Sequence, residues 1–373
     1  MNHGSDPRPS LNRIVRWIGA LSVVTPILAG CGTIHHTPPP VTGPDLTPTV
    51  RATDPPFTYR RGPIPVDNHI VDVGRHYRLR RLTFPSVGDN GQPDDLVTVD
   101  YHQSTRPGRH PAVIILPIWG RHVYPSNAVT RTLRKRSDGD VHVLNVLGEQ
   151  FLIDWPALGT ITDENEFVDT WVQGAERERV MVIDIRRLVD WAATRPEIDE
   201  NRIGLIGFSH GAMLAPTIAI QEPRIDALVL VMGGAHPHRV IARCVGARTE
   251  TVQDWAADTV GWAQDEMEAR LEPIFAAVDP ANYPDRIDPS RVLIFDAGRD
   301  ECVPESSRDA LWRAMGRPER YTIERSHRRS FYSMTPLRFN WMRKKIWKFF
   351  ERVLLEGDAS SGKGHGAVGP TAP

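Results

Sequence analysis

The sequence predicts an α/β domain with a mostly parallel central sheet and helices on both of its faces. Three features of the chain lead there. Short, almost wholly apolar runs recur at residues 112–116, 141–147, 203–206, 227–231 and 292–295, and runs of that length mark strands covered on both faces. Helical periodicity fills the spaces between them. Ahead of them, residues 77–84 and 96–101 alternate polar with apolar, as strands with one wetted face do. The sheet should therefore begin antiparallel and turn parallel where strand and helix start to alternate.

The helices follow in order. Within 176–194, Met181, Ile185, Leu188 and Ala192 recur at spacings of four, three and four, which lines one helix face. Residues 211–221, 306–315 and 337–355 are further candidates, and 321–324 reads as the last strand. The last helix carries Arg343, Lys344, Lys345 and Lys348 beside Trp347, Phe349 and Phe350. That pattern suits a core face with a basic rim, or contact with a membrane surface.

Composition narrows the function. With 373 residues, 40% hydrophobic and 24% charged, the chain can bury a large core and is not disordered throughout. Lys plus Arg number 45 against 46 Asp plus Glu, so no global positive field favours nucleic acid. Three cysteines are too few for a disulfide-built fold.

The chain divides into four parts: 1–30 as signal peptide, 31–65 as Pro-rich tether, 66–356 as the folded α/β domain and 357–373 as disordered tail. Arg13 and Arg16 precede a short apolar run, too short to span a bilayer. Leu28-Ala29-Gly30-Cys31 then resembles a bacterial lipobox, which implies cleavage before Cys31 and diacylglycerol on its sulfur. The expectation is an exported protein, lipid-anchored to a bacterial cell membrane and facing the periplasm or exterior. Prolines through 38–65 favour extended backbone, and His35-His36 just ahead of them reads as solvated linker in place of a metal site.

The chemistry lies after the apolar run 203–206. Gly207-Phe208-Ser209-His210-Gly211 is G-x-S-x-G between a strand and a helix, the setting in which the motif holds a nucleophilic serine on a sharp turn. Here the chain resembles the α/β-hydrolase superfamily, its dienelactone-hydrolase and prolyl-oligopeptidase-like branch in particular, over about residues 77–355. The resemblance implies an α/β-hydrolase fold with lid-like insertions and a catalytic order Ser, acid, His. Asp300, in Asp296-Ala-Gly-Arg-Asp-Glu-Cys-Val-Pro304, takes the acid position, with Asp296 as fallback. His327, in Ser326-His-Arg-Arg-Ser330, takes the general-base position. Ala297 and Ser326 depart from the family pattern. The oxyanion donors implied are the backbone N–H of His210 and one from the loop 117–121, aligned at Trp119 with Ile118 next.

Two segments, 149–175 and 236–289, are expected to insert over the catalytic edge, with Trp155 and Trp171 as substrate-binding residues or as local core. Cys244 and Cys302 can be a disulfide or two free thiols. No H-E-x-x-H and no G-x-G-x-x-G supports a metal or a nucleotide, so no cofactor is expected. The reading is a serine hydrolase acting on a small-molecule ester or acylated substrate, with a membrane as its other partner and no nucleic acid. The alternatives are a peptidase or amidase on the same triad, and a non-catalytic binding lipoprotein of the cell envelope.

Overall fold

The computed structural model describes residues 33–39, 55–87, 95–118, 124–148, 158, 160–284, 286–335 and 340–357. Ten strands form one sheet in the order β1-β10-β9-β8-β7-β5-β6-β4-β3-β2. They are β1 (Ile34–Thr37), β2 (Asp67–Val73), β3 (Tyr77–Pro85), β4 (Leu96–Ser104), β5 (His110–Leu116), β6 (His142–Leu147), β7 (Ile198–Phe208), β8 (Ile225–Val231), β9 (Val292–Ala297) and β10 (Glu319–Ile323). β2, β3, β4 and β6 pair antiparallel, and β6, β5, β7, β8, β9 and β10 pair parallel. The antiparallel start and parallel continuation are as the sequence predicts.

The apolar runs form strands because helices cover both faces, so alternation has no wetted side to select. In β5, Ile114 and Leu116 face one apolar layer while Val113 and Ile115 face the other. The helices are α1 (Tyr124–Arg136), α2 (Glu164–Ala193), α3 (His210–Gln221), α4 (Pro237–Arg243), α5 (Ala247–Thr259), α6 (Gln264–Phe275), α7 (Glu305–Ala314), α8 (His327–Ser330) and α9 (Trp341–Phe350). α2, α3 and α7 contribute to the first layer, α1 and α9 to the second. Met342, Ile346, Trp347, Phe349 and Phe350 are all buried, so the last helix presents a core face to the sheet. Among the described residues no helix is long and apolar enough to cross a membrane.

Three expectations need correction. The stretch 31–65 is attached to the domain wherever it is described: β1 pairs antiparallel with β10, and Phe57 is fully buried. Arg186 donates to the Phe57 carbonyl at 2.6 Å, and Arg179 donates to that of Pro56. The free donors and acceptors of the β10 edge are thus paired, which outweighs the tendency of a Pro-rich segment to stay solvated.

The 149–175 insertion ends at residue 163. Asp163 caps α2 by accepting from Asn165 and Glu166 N–H at 2.9 and 3.1 Å, and Glu164 and Glu166 face the positive end of the helix dipole.

Third, Trp171 is not a pocket residue. It is fully buried, edge-on to Phe167 and Phe275, while Phe167 stacks on Trp255 and meets Trp262 edge-on. The aromatics of both insertions form a local core that fixes α5 and α6 to α2. Trp155, Cys31 and the signal peptide lie outside the described residues, as does the tail beyond Gly357.

Candidate active site

Ser209 sits between the end of β7 and the start of α3, with φ 49° and ψ −113°. A serine pays strain of about 1–3 kcal/mol to hold such a backbone, so its neighbours must impose it. Its N–H donates to the Val231 carbonyl at 2.8 Å, and its own carbonyl accepts from Ala212 and Met213 N–H at 2.9 and 3.2 Å.

The flanking glycines leave the space this turn requires. A Cβ on Gly207 would lie 2.1 Å from the Gly211 carbonyl oxygen, and one on Gly211 would lie 2.5 Å from that of Pro117. The loop after β5 is therefore packed directly against the elbow, where the sequence expects an oxyanion donor. Trp119 itself lies outside the described residues. His210 opens α3, and its ring Nε2 is 3.3 Å from Glu178 Oε1 on α2.

Asp300 and His327 come from two other loops on the same edge. Asp300 follows β9; its side chain is fully buried, and Oδ1 accepts from the backbone N–H of Cys302 and Val303 at 2.9 and 2.8 Å. Oδ2 lies 2.7 Å from His327 Nδ1. With Nδ1–H donating to that carboxylate, Nε2 is free to accept the Ser209 hydroxyl, whose oxygen stands 2.9 Å away. The imidazole is 14% exposed and meets the Phe331 ring edge-on. Serine, base and orienting acid are thus joined in the order that proton removal from a serine needs.

The fallback acid has another partner. Asp296 is fully buried in β9 and accepts from Arg320 Nε; burial pushes its carboxyl up to about 6 against the pull of Arg320 and Arg308. Sequence reasoning missed one support, at Glu301, and left a second, the Cys244–Cys302 pair, open between a bridge and free thiols. Glu301 accepts the His327 backbone N–H at 2.7 Å, and a disulfide joins Cys244, at the end of α4, to Cys302 in the acid loop. Neither has a sequence signature, because both link residues brought together only by the fold.

The architecture is that of the α/β-hydrolase fold. Residues 187–279 match the family model described as the C-terminal region of BAAT and acyl-CoA thioester hydrolases, a stretch that holds the Ser209 elbow but neither Asp300 nor His327. Among solved structures, acetyl xylan esterase 1 from a Thermoanaerobacterium species is similar at 16% identity and TM-score 0.53, covering 78% of this chain and 88% of that one. An acetyl xylan esterase from a Paenibacillus species gives 16% and 0.55, over 78% and 89% of the two chains. The acylaminoacyl peptidase of Pyrococcus horikoshii gives 14% and 0.50, over 75% of this chain and 42% of that one. No curated protein matches the chain in sequence.

Proposed function

We propose that this protein is a serine hydrolase that cleaves a carboxylic ester through an acyl-enzyme on Ser209. The observation that carries the reading is the continuous hydrogen-bonded path from Ser209 Oγ through His327 to Asp300, at 2.9 and 2.7 Å. His327 Nε2 takes the hydroxyl proton as Ser209 Oγ attacks the carbonyl carbon, and Asp300 stabilises the imidazolium that forms. The oxyanion develops at the amino end of α3, where the His210 N–H and a second N–H from the loop after β5 serve as donors. The imidazolium then protonates the leaving alcohol. Water, deprotonated by His327, hydrolyses the acyl-serine.

The esterases among the structural neighbours and the thioesterase family model support acyl transfer from oxygen or sulfur. A p-nitrophenyl ester, an acyl-thioester and an aminoacyl anilide, each offered to the same preparation, rank the three bonds. The reading expects the ester to turn over at least about tenfold faster than the anilide, because a poorer leaving group slows formation of the acyl-serine. The competing reading, a non-catalytic binding protein, predicts no turnover of any.

The same reading places the enzyme on a membrane through lipidated Cys31, supported by the motif and by the basic and apolar residues ahead of it. Expression with an alkyne-tagged fatty acid should label the wild-type chain, and Cys31→Ser should abolish both the label and sedimentation with membranes. Equal membrane recovery of the two proteins would remove the anchor.

A further inference from the structure

A second group of chemistry-bearing side chains, separate from Ser209, His327 and Asp300 in its residues, converges in the segment between β8 and β9. His236 precedes α4, His238 lies within α4, and Asp279 lies in the turn after α6. One ligand atom from each lies within 4.8 Å of the others. Asp279 Oδ1 accepts from the backbone N–H of His236 and Ala281 at 3.0 and 2.9 Å, and Oδ2 stands 2.9 Å from His236 Nδ1. His238 is only 3% exposed, yet its Nδ1 has no hydrogen-bond partner. A buried ring nitrogen in that state calls for a partner that protein groups do not supply.

The surroundings do not oppose a cation. The two arginines of α4, Arg239 and Arg243, both donate to Glu268, at 2.5 and 2.6 Å, and Arg243 donates to Asp265 as well, so their charge is already matched. Two imidazoles and a carboxylate are borderline-soft and hard donors in the combination that suits Zn2+ and its neighbours, whereas Ca2+ and Mg2+ favour oxygen alone.

We propose that His236, His238 and Asp279 bind one divalent transition-metal ion of the Zn2+ type, with water completing the coordination. Metal–ligand distances of about 2.0–2.2 Å place tetrahedral donors roughly 3.3–3.6 Å apart, so any donors now as far as 4.8 Å from one another close by about 1 Å, a side-chain adjustment. His236, 27% exposed, has the most room to move. The ion would clasp the start of α4 to the end of α6. The proposal is independent of the hydrolase reading.

The test uses the untagged full-length chain, stripped with a chelator and titrated with Co2+ as a coloured probe and Zn2+ as its competitor. One Co2+ per chain is expected, with the visible bands of a four-coordinate site, displaced by Zn2+. His238→Gln and Asp279→Asn should each weaken binding by more than about 100-fold, a larger effect than loss of an outer-shell partner. Should a variant fail to fold, the wild type still decides: Zn2+ should protect His236 from diethylpyrocarbonate, read by peptide mass spectrometry. No binding at micromolar Zn2+, unchanged binding in both folded variants, or no protection of His236 would overturn the site.

Discussion

At Ser209, strain and access are two sides of one arrangement. The positive φ lifts the hydroxyl off the sheet edge toward His327, and it persists because Gly207 and Gly211 let strand, helix and the β5 loop approach to backbone contact. Gly207→Ala should therefore cost about 3 kcal/mol or more, since the clash is with backbone that has no rotamer to escape into. Gly62→Ala, where a Cβ meets nothing within 4 Å, is the matched control, and urea midpoints measure both. The meeting of Ser209, His327 and Asp300 was legible in the sequence because their loops keep their order and spacing along the chain despite changes at Ala297 and Ser326. Trp171 stood open between pocket and core because a tryptophan in either looks alike until its neighbours, Phe167 and Phe275, are placed.

Between elements, the Cys244–Cys302 bridge ties α4 to the loop whose backbone holds Asp300. It spans 58 residues, for which loop-closure entropy suggests a contribution of about 4 kcal/mol. Replacing both cysteines by serine should lower the melting temperature, and reduction should do the same to the wild type only. If reduction leaves the wild-type melting temperature unchanged, the bridge contributes no stability.

The pair β4·β6 carries a different load. His102 and His142 are buried, and burial holds each at about 4, below the 6.5 of a solvated imidazole. The folded state therefore refuses protons that the unfolded chain accepts. Stability is complete above about pH 6.5 and is lost as pH falls toward 4. Asp296, raised to about 6, acts oppositely across part of that window, but one carboxyl does not offset two histidines shifted further. Urea midpoints should fall on acidification, and His142→Gln should flatten the slope. An equal slope in the variant would assign the acid sensitivity elsewhere.

Across the whole molecule, the periodic and apolar segments of the sequence specify the sheet and most of the helices that cover it. What escaped were pieces whose structure comes from partners distant in sequence. β1 is Ile-His-His-Thr, polar and exposed, and becomes a strand only because the β10 edge is there to pair with it. β2, exposed along its length, escaped for another reason: it lacks an apolar face and is ordered by pairing with its chain neighbour β3. The insertion between β8 and β9 has aromatic residues without a clear helical period, and it folds as helices because they bury those rings against α2.

The central claim is that this fold presents Ser209 as a nucleophile driven by His327 and Asp300. The most direct measurement treats the full-length protein with a fluorophosphonate and locates the adduct by peptide mass spectrometry, with Ser209→Ala, His327→Ala and Asp300→Asn alongside. One adduct is expected, on Ser209, absent in the alanine variant. Labelling should be slowed by at least about 1,000-fold in the other two, as loss of the proton acceptor or of its correct tautomer demands. A folded wild type that stays unlabelled, or labels as fast without His327, would contradict it.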